Sequence, residues 1–371
     1  MTKQVFLVDL IGVHTGAHYY NNSFCELFDK GDGINVAVLS NYSHNLSRVF
    51  FPYLFNGNVV LKALKLLFAF VKLALFLTTH RRSDFVYLSF GNRIDRLFML
   101  LARISGNRFI LDIHDLYDTS KESSDYCKRS VINKLKSINK VIIHSEKVQK
   151  QLDSFGYSGA VILVPHFRYN FESIPQEEQS DVTDLFDSRK INLLFFGHIR
   201  ESKGIKELFK LINGITDTKV QNAIHLVIVG SDTNQCIDKF DLRIRNKVSS
   251  NMLLRKVSDS EMQSAYSHAD YVLLPYLSIS QSGVLESAIS YRKPVVVSDL
   301  PFFKQYLSQY PSFGVQFNIQ DQDSFNHLVG DFVDSTEEYY LDEDLNNYMN
   351  TQVYEEFKNN LSKLLKKREF L

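Results

Sequence analysis

The sequence predicts an α/β protein built from two successive doubly wound domains. Three observations carry that prediction. Short apolar runs without a 3.6-residue period, such as Arg108–Ile113, Ile191–Phe196 and Tyr271–Leu274, suit parallel strands covered on both faces. Helical patterns alternate with these runs in both halves of the chain. Between the halves, 171–190 is polar and acidic, holds a Pro, and breaks the rhythm, as an interdomain linker does.

Length and composition set the outer limits. A chain of 371 residues accommodates two ordinary domains, and 44% apolar with 23% charged residues is a globular balance. The formal net charge is zero, which gives no global bias toward nucleic acid or acidic lipid. The three cysteines, Cys25, Cys127 and Cys236, are far apart and lack C-x-x-C spacing, so neither a disulfide framework nor a zinc site is expected and a reducing cytoplasm fits. The start of the chain runs directly into a strand pattern, and no signal peptide is expected.

In the first half, Gln4–Asp9 reads as a strand, followed by the loop 11–18 that contains Gly16. The first strand-to-helix loop of a doubly wound domain faces the ligand crevice, so Gly16 is either a ligand-approaching glycine or part of a tight turn. Asn35–Ser40 is a second strand. Val59–Leu77 is the most hydrophobic stretch, with Lys62, Lys65 and Lys72 on one narrow helical face. Three lysines argue against a membrane-spanning helix. Two readings remain for 59–77: a helix packed on the sheet with a lysine stripe in solvent, or a helix lying on an anionic bilayer, with Arg81 and Arg82 adding attraction. Strands are expected at Phe85–Phe90, Arg108–Ile113, Val141–Ser145 and Ala160–Pro165, with helices at Asn92–Ile104 and up to Phe155. The His114-Asp115 pair stands at the end of the Arg108–Ile113 strand, where it reaches the crevice. Histidine suits proton transfer near neutrality, although Asp115 can equally be a helix cap.

The second domain is expected to run from 191 to 350, with strands at Ile191–Phe196, His225–Val229, Met252–Leu254, Tyr271–Leu274 and Val295–Ser298. A short helix is expected within Val257–Tyr266, and helices at Phe325–Asp334, Thr336–Met349 and Val353–Arg368. Two loops carry chemistry. After Ile191–Phe196 comes G-H-I-R-E-S-K-G, which places Arg200 and Lys203 at the ligand-binding edge of a parallel sheet. Arg200 can grip phosphate oxygens in a fork, and Lys203 can act as a point charge. After Tyr271–Leu274 comes the small polar loop of Ser278, Ser280, Gln281, Ser282 and Gly283, then a helix from Val284 to Tyr291. Ser282 is a good N-cap, Gly283 permits close backbone approach, and the helix start favours a phosphate. Glu286 lies one turn beyond Ser282, on the same face, where a carboxylate can accept from a ribose diol.

The pattern G-x-I-R-x-x-K-G, then P-Y-x-x-x-x-x-S-G-x-x-E and K-P-V-V, resembles the family 4 glycosyltransferases of the GT-B fold, closely over about 190–300 and loosely in the first half. The resemblance implies two Rossmann-like domains facing across a cleft: 1–170 on the acceptor side, the linker 171–190, 191–350 for the nucleotide-sugar, and 351–371 as a helix returning to the first domain. It implies that Arg200, Lys203, Ser282, Gly283 and Gly16 bind the donor diphosphate and that Glu286 binds the ribose. It places Ser278 and Gln281 near the donor sugar, and His114 and Asp115 at the reacting centre. Two departures stand out: Ser278 occupies the place of the first Glu of an E-x7-E motif, and His198 occupies the place of a common Arg.

The function implied is transfer of a hexose from a GDP- or UDP-sugar to a glycan or lipid-linked oligosaccharide in bacterial surface-polysaccharide biosynthesis, without metal or other cofactor. Asp321-x-Asp323 and Asp342-x-Asp344 have metal-motif spacing but not the strand-end context of such motifs. Nucleic acid is not an expected partner. The location expected is the cytoplasm; the bilayer reading of 59–77 would add peripheral contact to the inner face of the cytoplasmic membrane. A non-catalytic GT-B subunit that binds nucleotide or glycan for another transferase is the alternative, motivated by Ser278. A sugar-nucleotide epimerase of the same fold is a third reading, and it lacks an identifiable extra acidic residue.

Overall fold

The computed structural model describes residues 3–12, 17–28, 33–42, 47–54, 56–81, 83–89, 98, 100–101, 104–105, 107–114, 116, 132, 135, 138–169, 171, 181–279, 281–334, 339–340, 342–349 and 352–366. Gly16 and Asp115 lie outside these residues, as does nearly all of the helix expected over Asn92–Ile104. The chain divides into two compact units, one of residues 1–169 with 351–371 and the other of residues 170–350.

The first unit holds a seven-stranded parallel sheet in the order β3-β2-β1-β4-β5-β6-β7. Its strands are β1 (Lys3–Val8), β2 (Ile34–Ser40), β3 (Ser47–Val49), β4 (Asp84–Ser89), β5 (Arg108–Ile113), β6 (Lys140–Ile143) and β7 (Ala160–Leu163). The described helices are α1 (Ala17–Glu26), α2 (Val59–Thr79), α3 (Glu146–Ser154) and, from the end of the chain, α12 (Gln352–Lys366). Both sheet faces are buried, which is why the strands read as unbroken apolar runs. Phe6, Val8, Phe85, Tyr87 and Leu111 form a core with Leu73 and Leu77 of α2. Val5, Leu7, Val86, Leu88 and Ile110 face the opposite way, against α1 and against Phe357, Leu361 and Leu365 of α12. Phe357 also meets Phe24 and Phe167 at ring distances of 6.1 and 5.4 Å.

The second unit holds a six-stranded parallel sheet in the order β10-β9-β8-β11-β12-β13. Its strands are β8 (Ile191–Phe196), β9 (Ile224–Val229), β10 (Ser249–Leu253), β11 (Tyr271–Leu274), β12 (Val295–Ser298) and β13 (Gly314–Phe317). The described helices are α4 (Ile205–Asn213), α5 (Thr218–Ala223), α6 (Cys236–Lys239), α7 (Asp259–His268), α8 (Gly283–Ser290), α9 (Pro301–Gln309), α10 (Gln322–Asp334) and α11 (Asp342–Met349). Strand order reverses direction at β8 and β11, so the loops after these neighbours open at the topological switch point, where doubly wound sheets bind ligands.

Several expectations need correction. Much of the stretch read as a linker is packed onto the second unit: Phe171 stacks on Tyr291 at 4.9 Å, Thr183 shares a hydrogen bond with Ser264 (2.9 Å), and the Leu185 carbonyl meets His225 Nε2 (2.8 Å). The edge strands β3 and β13 and the helices α5, α6 and α9 were not expected from periodicity; each is short, and α9 is marked mainly by Pro301 at its first turn. In both Asp-x-Asp motifs one carboxylate is engaged by backbone N–H groups. Asp321 Oδ1 accepts from the backbone N–H groups of Asp323 and Ser324 at the start of α10, and Asp344 Oδ2 accepts from Ser312 N (2.6 Å).

Candidate functional site

In the second unit, the loop after β8 and the loop after β11 are fastened together. Gly204 has φ +67°, and a Cβ there would lie 1.7 Å from the Pro275 carbonyl oxygen, so only glycine fits. Beside it, Leu277 N donates to Ser202 O (3.0 Å). These contacts bring Lys203 against the β11 loop, with its Nζ 3.6 Å above the centre of the buried Tyr276 ring. Arg200, in extended conformation, precedes the 3₁₀ turn Glu201–Lys203 and is exposed. On the other side of β8, a Cβ at Gly230 would lie 1.7 Å from the Gly197 carbonyl oxygen, so the ends of β8 and β9 also approach at backbone contact. Ile199 N donates to Ser231 O (3.0 Å), and Ser231 Oγ lies 2.8 Å from His198 Nδ1, which fixes the imidazole that follows Gly197.

The β11 loop ends at α8 as the sequence implies. Ser282 is buried, extended, and accepts from Leu285 N (3.2 Å). Helix geometry gives the Gly283 and Val284 amides no intrahelical acceptor, so this start can hold an anion. Arg200, Lys203, Ser282 and Gly283 therefore belong to loops at one edge of one sheet, with Ser278 exposed and Gln281 half-buried in the same β11 loop. Glu286 differs from a solvated carboxylate. It is 6% exposed, and its Oε2 accepts from the Tyr348 hydroxyl of α11 (2.8 Å). Tyr276 and Tyr348 were not singled out from the sequence; the Pro-Tyr at the end of β11 was a usable signal for the first, and nothing local marks the second.

In the first unit, His114 stands with a group of buried polar side chains at the C-terminal edge of the sheet. Asp112 is the fifth residue of β5, His114 follows β5, His144 follows β6 and His166 follows β7. His144 Nε2 lies 2.8 Å from Asp112 Oδ1, and its Nδ1 lies 3.1 Å from the Val164 carbonyl oxygen. Tyr20 of α1 donates to Asp112 Oδ2 (2.6 Å), and its ring meets those of His114, His144 and His166 at 4.4, 5.4 and 5.3 Å. His114 Nε2 is 3.6 Å from Asp112 Oδ1. Burial pushes the Asp112 pKa up, but the neighbouring His144 and the hydrogen bonds outweigh it and hold the carboxyl below its ordinary value. Burial pushes the pKa of His114 and of His166 down to about 3. A neutral, weakly basic His114 suits hydrogen bonding better than proton abstraction.

Asp112, His114 and His144 offer ligand atoms within 4.8 Å of one another, the single such group among the described residues. A separation of 2.8 Å between a ring nitrogen and a carboxylate oxygen is a hydrogen-bond distance. Three consecutive strand ends carrying histidine were visible in the sequence; that they meet is set by the β5-β6-β7 neighbourhood.

Residues 190–329, less than half of the chain, match the family described as "Glycosyl transferases group 1". No curated protein matches. Among solved structures, the chain is similar to sucrose-phosphate synthase from Thermosynechococcus elongatus, with TM-score 0.67 and 13% identity over 98% of this chain and 99% of that one. It is similar to Anabaena HepE in complex with UDP-glucose, with TM-score 0.68 and 13% identity over 97% and 99% of the two chains. It is also similar to a structure described as trehalose-6-phosphate from E. coli bound with UDP-2-fluoro glucose, with TM-score 0.66 and 11% identity over 98% and 99%. The chain thus has the fold of GT-B glycosyltransferases, and its second unit carries the group 1 glycosyl transferase match.

Proposed function

We propose that the protein is a glycosyltransferase that moves a hexose from a nucleotide-diphosphate sugar to a glycan or lipid-linked oligosaccharide acceptor in polysaccharide biosynthesis, on the cytoplasmic side of a membrane. The observation that carries this reading is the fastening of the two loops, with Gly204 against Pro275, Leu277 on Ser202 and Lys203 over Tyr276, in the loop that leads to the Ser282-capped start of α8. In this reading Arg200, Lys203 and the amides of Gly283 and Val284 hold the diphosphate and stabilise the charge that develops on it as the glycosidic bond breaks. Glu286, held by Tyr348, accepts from the ribose. Ser278 and Gln281 lie toward the sugar. His114 serves the sugar as a neutral hydrogen-bonding group, and Gly16 and Asp115 complete the set. No metal step is needed, since the cationic side chains and helix start supply the charge. UDP-glucose in HepE, and UDP-2-fluoro glucose in the E. coli structure, make a UDP-sugar the first donor to test.

The test is thermal stabilisation by UDP, GDP, ADP and CMP, each with and without EDTA. A ligand at about one hundred times its dissociation constant adds ~2.7 kcal/mol. A response to UDP or GDP that survives EDTA and is lost in Lys203→Ala supports the reading. No response to any nucleotide removes it and favours the alternative, a non-catalytic partner subunit, for which the exposed Ser278 in place of a carboxylate is the motivating feature.

A further inference from the structure

Helix α2 exposes an apolar face that its own unit leaves uncovered. Its inner face, with Ala69, Leu73 and Leu77, is sealed against the sheet. At 100° per residue, Val60, Leu64, Leu67, Phe68, Val71 and Leu75 fall on the opposite side. Each is between 51% and 67% exposed. Exposed leucines are ordinary when scattered, but six large apolar side chains on one face of a single helix form a patch of the kind that marks an interaction site.

Charge indicates what covers this face. From Gly33 to Ser83 the sequence has no Asp or Glu and six Lys or Arg residues, although the whole chain has a net charge of zero. Lys65 and Lys72 lie along one flank of the apolar face, and Lys62 is exposed in the first turns of the helix. Lys72 Nζ reaches the Phe50 carbonyl (2.7 Å) and lies 4.4 Å from the centre of the Phe50 ring, so its stem follows the surface while its charge stays at the rim. A second copy packed antiparallel across this face would bring these cations against their own symmetry mates. An anionic bilayer accepts both parts: its acyl region takes the apolar side chains, and its headgroups take the ammonium groups. No helix among the described residues is long and apolar enough to cross a membrane.

We infer that α2 lies flat in the headgroup region of an anionic bilayer, with the Val60–Leu75 face inserted and the lysine flank on lipid phosphates. The 21 residues of α2 form a contact line about 30 Å long. This surface does not depend on the transferase reading.

The experiment is flotation of the full chain with phosphatidylcholine vesicles, with and without phosphatidylglycerol. Strong flotation is expected only with the anionic vesicles. Leu64→Glu combined with Val71→Glu is expected to weaken it by roughly tenfold or more. Lys65→Gln combined with Lys72→Gln is expected to weaken it by about fivefold per lysine, and to lower its sensitivity to salt. All four positions are outside the core, so unchanged thermal unfolding should accompany the loss, and the lysine pair keeps the test open if the glutamate pair does not fold. Absence of flotation with anionic vesicles, or flotation that neither pair of changes weakens, overturns the inference. A dimer in lipid-free solution that Leu64→Glu dissociates also overturns it, in favour of a second copy on this face.

Discussion

His144 Nε2 lies 2.8 Å from Asp112 Oδ1, with both side chains buried and the other His144 nitrogen facing the Val164 carbonyl. The ring bridges a backbone carbonyl and the Asp112 carboxyl, which is held below its ordinary value, so the buried carboxylate leans on this hydrogen bond. Tyr20 satisfies the second carboxylate oxygen. Removing one member of such a buried pair leaves the other uncompensated, at about 3–5 kcal/mol. His144→Ala is expected to lower the stability of the first unit by that amount in urea unfolding at neutral pH. A loss below about 1 kcal/mol would show that the buried carboxylate does not depend on His144.

His114 and His166 make stability depend on pH in a defined direction. Their folded pKa, about 3 for each, lies below the ordinary histidine value of 6.5. The unfolded chain therefore binds more protons between those values, and stability is lost as pH falls below about 6.5. The expected slope is up to ~2.7 kcal/mol per pH unit for the two rings together. Asp112, also held below its ordinary value, adds loss in the same direction at lower pH. Urea midpoints measured across this range should fall with pH, and His166→Gln should remove about half of the slope. A flat profile would contradict the burial of both rings.

Gly204 is the point at which the two loops of the second unit touch. A side chain there meets the Pro275 oxygen and must also adopt φ +67°. Gly204→Ala is expected to cost about 2 kcal/mol or more and to weaken nucleotide binding together with Lys203→Ala. Calorimetric titration of the purified variant with UDP measures the second effect. Full affinity in Gly204→Ala would separate the loop contact from the site.

Tyr348→Phe tests the role of Glu286. Loss of its 2.8 Å hydrogen bond to a buried carboxylate should cost about 1.5–3 kcal/mol in unfolding. If Glu286 also holds the ribose, Glu286→Gln weakens nucleotide affinity by roughly tenfold while keeping the fold. Destabilisation by both changes with unaltered affinity would make Glu286 a structural residue only.

The sequence by itself determined the strand-helix alternation, because strands covered on both faces must be apolar throughout and helices between them must be periodic. It determined where the chemistry-bearing loops lie, since Arg200, Lys203 and Ser282 follow strand ends, and it marked Ser282 as a cap through its own side chain. It did not determine which strand ends are neighbours. The meeting of Asp112, His144 and Tyr20 comes from the β5-β6-β7 order and from the packing of α1 on that sheet, contacts distant in sequence that no local pattern encodes. The engagement of Glu286 by Tyr348 and the fastening of Gly204 to Pro275 are likewise tertiary. Helix α2 shows the same division. Its sequence is apolar almost all round, which allows either face to pack, and only the sheet decided that Leu73 and Leu77 are buried and that Leu64 and Val71 are left to solvent. Local periodicity fixes the type of element, whereas the partner of each face is a property of the assembled sheet and its crossovers.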